Sequence, residues 1–211
     1  EHLLTANQSR QQTHRIRAAI DSDGRILGID NEFFHDQGGY LRTHGVRVPD
    51  MTAGLMLGPY EVPAYRVAGH VRLTNKTPAA TYRAPGRYET TFVRERLLDA
   101  IAGRVGVDPV EARRRNLIPA EAIPYVRPLD ALEVNVVLES GDYAGLLDYA
   151  LDTFGWNELK RSVEARRAAG ETVGAGLGFF VEKSGLGPTD KVRVDLDSDG
   201  QVTVVTGAAN L

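Results

Sequence analysis

An α+β domain with mixed sheets, two similar β-hairpins and a helical middle segment is what this sequence predicts, on three observations. The quartet Asp-Ser-Asp-Gly occurs twice, at residues 21–24 and 197–200, each time between runs rich in β-branched and apolar residues. Between the two, apolar residues recur at helical rather than alternate spacing. Prolines and glycines punctuate the joins. The sequence accordingly divides into residues 1–85, mainly β, residues 86–170, mainly helical, and residues 171–211, a β-hairpin, as parts of one domain fragment spanning 1–211.

The first hairpin takes Thr13 to Ile20 and Arg25 to Phe34 as its strands, with Asp21, Ser22, Asp23 and Gly24 as the turn. Aspartate and glycine suit it because they tolerate the positive φ that tight turns require. A calcium loop would need further oxygen ligands and a distant glutamate, which neither quartet supplies. The return of the hairpin suggests an internally duplicated α+β unit. A strand then runs through Pro78 to Tyr82 and Arg83 and leads into a helix from Glu89 to Arg104. Phe92, Val93, Leu97, Ala100 and Ile101 form its buried face, with Arg94, Glu95, Arg96 and Asp99 opposite. Asp108, Pro109 and Glu111 open a second helix as cap, first residue and a glutamate reaching back to the cap amide. Arg113 to Arg115 suit the dipole at its far end. Pro119, Pro124 and Pro128 interrupt regular structure. Leu146, Leu147, Ala150, Leu151 and Phe154 then form an amphipathic helix capped by Asp142 or Ser140. A charged helix from Asn157 to Ala169 ends at Gly170, its arginines a solvated face. A strand from Gly176 to Glu182 precedes the second hairpin, Val192 to Leu196 with Val202 to Val205.

Composition narrows the function. At 211 residues, 42% of them apolar, the chain can bury a core, and a net charge of -3 offers no basic surface for nucleic acid. The absence of cysteine removes disulfides, iron–sulfur clusters, thiolate zinc sites and cysteine nucleophiles from this chain, and suits a reducing cytoplasm. No apolar run approaches the roughly 20 residues that span a bilayer, so a soluble protein with no membrane partner is expected. Glu1 stands where a methionine would start a chain, and the strand-like run from Gln201 to Leu211 continues to the last residue, so both ends look cut.

Few residues group for catalysis. His2, His14, His35, His44 and His70 lack metal-ligand spacing and read as surface or hydrogen-bonded residues. Gly174, Gly176 and Gly178 precede a strand, whereas a dinucleotide loop follows one and opens a helix. The run TNKTPAATYRAPGRYE, from Thr74 to Glu89, is richer. Amides at the helix start could hold an anion, with Arg83 and Arg87 adding fixed positive charge and planar donors. The plainer reading makes each arginine a bridge between elements.

The run TPAATYRAPGRYE, followed by TFVRERLLDAIAGRVGVDPVEARRRNLI, resembles the large cofactor-binding subunit of molybdenum hydroxylases. That family includes xanthine dehydrogenase, aldehyde oxidase and carbon monoxide dehydrogenase. EHLLTANQSRQQTHR, FHDQGGY at 34–40 and GLGFFVEKSGLGP at 176–188 agree in order, so the resemblance covers essentially the whole chain. It implies a molybdopterin-binding-domain fold and an oxidoreductase that hydroxylates an aldehyde or N-heterocycle C–H with oxygen from water. It further implies a molybdenum–molybdopterin cofactor, as the cytosine dinucleotide in bacterial members, with 2Fe-2S clusters and FAD on partner subunits or domains.

By the same resemblance Arg83 faces the substrate, and Arg83 and Ala84 border the cofactor. Pro85 stands where purine-oxidising members have a stacking phenylalanine, while Phe179 matches the second stacking aromatic, which disfavours purines. Ala84 stands where the copper-containing members have their copper-binding cysteine, which excludes molybdenum–copper chemistry. The family's GGGFG stretch falls before Glu1, and its GQG stretch and glutamate base after Leu211. The 211 residues would therefore hold no catalytic residue, no metal ligand and no bound cofactor alone, and would need the remainder of the subunit. Glu182 does not match the base and reads as structural or at the pocket rim. Two rivals stand beside this: a non-catalytic scaffold or binding module retaining the fold, and an arginine loop that binds some other phosphorylated ligand.

Overall fold

A computed structural model describes residues 1, 6–7, 11–42, 44–131, 133–182 and 191–207. His2, the run 183–188 within GLGFFVEKSGLGP and residues 208–211 of the strand-like run that ends at Leu211 lie outside the described residues. The chain divides into two compact units, 1–181 and 182–211.

In the first unit β1 (Gln12–Ile20) pairs antiparallel with β2 (Ile26–Gly38) through the expected turn. Asp21 Oδ1 accepts the amide protons of Asp23 and Arg25, each at 2.9 Å, and Gly24 takes φ 80°. After β2 comes α1 (Arg47–Leu55), a helix that the sequence, with Pro49 and Gly54 inside it, did not announce. It carries the chain across to β3 (Tyr65–Leu73), which runs parallel to β2 in a sheet of order β1-β2-β3. β2 is therefore central, and Ile29, Asn31, Phe33, His35 and Gln37 alternate into the interior. β3 ends at Leu73, so the expected strand through Pro78 to Arg83 is instead irregular, tied down by Ala79 N–H donating to Gln37 O at 2.8 Å.

α2 (Arg87–Val105) forms where expected but turns a different face inward. Leu98, Ile101 and Ala102 are buried together with Arg87, Glu89, Thr90, Arg94 and Glu95, while Phe92 is 67% exposed. Val93 and Leu97 are half-buried against the core. Hydrophobicity alone misplaced the face because Arg94 and Glu95 are paired, and a paired charge can be buried. α3 (Pro109–Arg114) is capped by Asp108, which accepts from Val110 N at 2.8 Å. Glu111 binds Arg115 Nε at 2.8 Å instead of the cap amide. Arg113 lies in the last turn as expected, but it is wholly buried.

A hairpin of β4 (Tyr125–Ala131) and β5 (Val134–Leu138) follows a 3-10 turn, where prolines had suggested no regular structure. Pro128 sits inside β4, tolerated because the register slips between Val126 and Asp130 and releases the amide that proline lacks. α4 (Tyr143–Thr153) is capped by Asp142, which accepts from Gly145 N at 2.8 Å; Leu147 is buried, whereas Leu146 and Phe154 are exposed. α5 (Trp156–Ala168) buries only Val163, so its arginines are solvated as expected. The core gathers Ile26, Ile29, Met56, Tyr60, Leu98, Ile101, Ile118, Leu147 and Phe179.

The second unit is the hairpin of β6 (Val192–Leu196) and β7 (Val202–Thr206). Its turn copies the first: Asp197 Oδ1 accepts from Asp199 N and Gln201 N at 2.9 Å each, and Gly200 takes φ 79°. No described helix is long and apolar enough to cross a membrane.

Candidate functional site

The loop that opens α2 rests on α1. Ala84 takes φ 58° and Gly86 φ 72°. A Cβ on Gly86 would lie 2.6 Å from Thr52 N and 2.7 Å from Met51 C, so only glycine lets the loop approach the helix backbone this closely. Pro85 and Arg87 are buried, Ala84 is half-buried, and Tyr82 and Arg83 are exposed. Among the described residues no side chain caps α2 at Gly86; Tyr88 N–H donates to Ala84 O at 3.3 Å and Thr90 N–H to Gly86 O at 3.0 Å.

The other predicted contributor, Phe179, is 8% exposed and packs into the core, while the ring of Phe180 is 62% exposed. Its segment was expected as a strand. Leu177, Phe179 and Val181 do face inward and Gly178, Phe180 and Glu182 outward, but the segment pairs with no strand among the described residues. Charged side chains take the strand's place. Phe179 N–H donates to Glu95 Oε2 at 3.0 Å, Phe179 O accepts from Arg94 Nη2 at 3.0 Å, and Leu177 O accepts from Arg113 Nη2 at 2.9 Å.

These side chains form one buried cluster. Glu95 Oε2 also accepts from Arg113 Nε at 2.8 Å, Glu95 Oε1 from Arg94 Nε at 3.2 Å, and Tyr60 OH donates to Oε1 at 3.1 Å. Arg113 reaches Asp99 Oδ1 at 3.0 Å, and Arg94 donates to Met56 O at 3.1 Å. Burial, reinforced by Glu95, pushes the Tyr60 hydroxyl well above its ordinary pKa. Burial also works against the charge on Arg113, but its hydrogen bonds to Glu95 and Asp99 hold its pKa up. Nearby, Arg127 donates to Gly58 O and Tyr60 O at 2.7 Å each, with burial drawing its pKa down to about 10. Burying so many charges is tolerable only because their donors and acceptors find partners. Sequence reasoning missed this cluster, since the partners that draw Arg94 and Arg113 into the core, Met56 O and Phe179 O for the one and Glu95 and Leu177 O for the other, are distant in sequence.

A second polar cluster lies between β1, β2 and α1. Gln12 Nε2 donates to Thr52 Oγ1 at 3.0 Å and lies 3.2 Å from His35 Nδ1, while His14 contacts Asn31 Oδ1 at 3.1 Å and Gln12 Oε1 at 3.0 Å. Gln37 Nε2 donates to Ala79 O at 2.7 Å, tying β2 to the run before Arg83. His35 Nε2 and Gln37 Oε1 are buried without a hydrogen-bond partner. A separate cavity of about 590 Å³ lies where α3 meets α4 and α5, with Asp108, Arg114, Asp148, Trp156 and Lys160 in its lining; neither Arg83 nor Phe179 lines it. Among the described residues no three His, Cys, Asp or Glu side chains gather as metal ligands.

Residues 1–117 match the family model of the molybdopterin cofactor-binding domain. The chain belongs to that family. It is 41% identical over 211 residues to 6-hydroxypseudooxynicotine dehydrogenase complex subunit gamma of Paenarthrobacter nicotinovorans, covering 100% of this chain and 27% of that subunit. To the nicotine 6-hydroxylase large subunit of the same organism it is 30% identical over 222 residues, covering 98% of this chain and 26% of the relative. The fold matches the crystal structure of quinoline 2-oxidoreductase from Pseudomonas putida 86 with TM-score 0.85 at 30% identity, over 99% of this chain and 28% of that one. The molybdopterin-binding segment thus spans about a quarter of the length of these relatives.

The residues present suit such a group. The start of α2 has no side-chain cap among the described residues, Arg83 brings exposed positive charge beside it, and the Gly86 contact seats the loop on the α1 backbone. Gln37, buried and bonded to Ala79 O, fixes the run before the loop and keeps a buried Oε1 with no partner among the described residues.

Proposed function

We propose that this molybdopterin-binding segment belongs to the large subunit of a molybdenum hydroxylase that oxidises a C–H bond of an N-heteroaromatic compound. The carrying observation is the match over the full 211 residues at 41% identity to a dehydrogenase subunit whose name is a nicotine derivative. Nicotine 6-hydroxylase and quinoline 2-oxidoreductase point the same way, which favours an N-heterocycle over the aldehyde alternative. The molybdenum–molybdopterin group, carried as its cytosine dinucleotide, supplies oxygen transfer and accepts the electrons when bound. 2Fe-2S and FAD centres on partner subunits, in the cytoplasm, would be the onward electron carriers.

Within this chain, Arg83 and the amides opening α2 hold and orient. Arg83 donates its planar fork to the substrate's ring nitrogen or a ring oxygen, and with Ala84 it borders the cofactor. Pro85 and the segment of Phe179 make the apolar wall that excludes water. Holoenzyme purified with its partner subunits and assayed by dye reduction tests the reading. Turnover of pyridine and quinoline compounds, with product oxygen from labelled water and stoichiometric molybdenum, is expected. Molybdenum-free protein without redox activity would favour the scaffold reading, and oxidation confined to aldehydes would overturn the substrate class.

A further inference from the structure

The pairing of Phe179 with α2 places two separate stretches under the control of one helix. The loop of Arg83 to Gly86 runs directly into the start of α2, and Arg94 and Glu95 sit about two turns further along it. Arg94 and Glu95 are neighbours in sequence, yet one takes the carbonyl and the other the amide of Phe179, as the facing residue of a β-ladder does. Both side chains are buried, 4% and 7% exposed, and each has a second hold: Arg94 on Met56 O and Glu95 on Arg113. A ladder strand could slide in register, but these two groups cannot, because both are fixed to one rigid helix. Phe180, next along, is thereby turned outward.

From this arrangement we infer that Arg94 and Glu95 are positioning residues that set the spacing between loop 83–86 and segment 177–180, and so determine the size of ring the pocket admits. The inference rests on the reading above, in which both stretches wall the substrate site. Neither residue need touch the substrate. Arg94→Lys is the informative change, since one ammonium cannot hold Met56 O and Phe179 O together as the guanidinium fork does. Glu95→Gln is its near-isosteric companion: it retains an acceptor for Phe179 N–H and loses the ion pairs. Tyr60→Phe is the control, removing a hydrogen bond to Glu95 from the same cluster without touching the segment.

The test uses intact holoenzyme and two measurements. Hydrogen exchange of the peptide covering 176–182 should accelerate in Arg94→Lys and Glu95→Gln and stay unchanged in Tyr60→Phe. The ratio of kcat/KM for quinoline to that for a single-ring pyridine should shift at least about tenfold in the first two, mostly through KM, with molybdenum content retained, and remain constant in the third. Faster exchange with an unchanged ratio would overturn the inference, as would a ratio that shifts equally in Tyr60→Phe. Failure of both Arg94→Lys and Glu95→Gln to fold would also overturn it, since the cluster would then serve the fold alone. A wild-type enzyme inactive on every N-heteroarene would instead refute the proposed function, while the exchange data would still report on the clamp.

Discussion

Gly58 illustrates how little room a buried guanidinium leaves. Its φ is 54°, and a Cβ there would stand 2.5 Å from Arg94 Cζ, with no slack because Arg94 is held on several sides. Gly58→Ala should cost about 2–3 kcal/mol, read as a lower Tm of the full-length subunit; an unchanged Tm would mean that Arg94 is free to move. Arg83→Ala has a different character, because the side chain is exposed and lies outside the core. In the holoenzyme it should lower kcat/KM by about tenfold or more with molybdenum retained, whereas parallel loss of metal and activity would make Arg83 a cofactor-holding residue. Burial pulls the pKa of His14 and His35 below the ordinary 6.5. The unfolded chain then binds protons that the folded chain refuses, so their contribution is complete above pH 6.5 and declines as the pH falls through 6.5 toward the lowered folded values. Melting curves across that window should show the decline and His35→Gln should blunt it; a flat profile would show the two rings charging freely. Arg83 was conspicuous in the sequence because it lies in a distinctive run. Arg94 and Arg113 were not, since an arginine inside a helix reads as solvated unless its distant carbonyl acceptors are known.

Among the elements, those closed by local chemistry were the legible ones. The two Asp-Ser-Asp-Gly turns form the same bonds 176 residues apart in sequence, from Asp21 and Asp197, because each depends only on its own four or five residues. Asp21→Ala removes the acceptor of two amides and should destabilise by about 1–2 kcal/mol in thermal or urea unfolding, while Asp21→Asn, which keeps an acceptor, should cost far less. Equal effects would place the contribution in charge instead of hydrogen bonding. The caps at Asp108 and Asp142 were legible for the same reason. What escaped were elements defined by remote partners: β4, which absorbs Pro128 by a register slip, α1, which follows no strong periodicity, and the run 176–182, whose alternation is that of a strand although its partners are side chains.

At the scale of the whole molecule, the family and fold were readable from spaced motifs, while these 211 residues span about a quarter of the length of the relatives they match. Expressed alone, they should bind no molybdenum and reduce no dye. With about a quarter of the relatives' length, the chain would lack cofactor hydrogen bonds supplied elsewhere, and losing several at about 1–3 kcal/mol each removes many decades of affinity. Metal analysis after incubation with cofactor-replete extract checks this, and near-stoichiometric molybdenum would place the reaction centre on these segments. Since the chain has no cysteine and Ala84 occupies the loop, the holoenzyme should not oxidise carbon monoxide; robust activity with stoichiometric copper would contradict it. The seat of Gly86 on the α1 backbone reaches further still, into how such an enzyme can be changed. Any codon but glycine at 86 pushes the loop off α1, so a mutagenesis library aimed at new substrates would vary the exposed positions Tyr82 and Arg83 and hold 86 fixed, with Ala84 open chiefly to glycine, asparagine and aspartate, which accept its φ of 58°. Selection for a new ring would act on a short, exposed lip over a base that cannot drift.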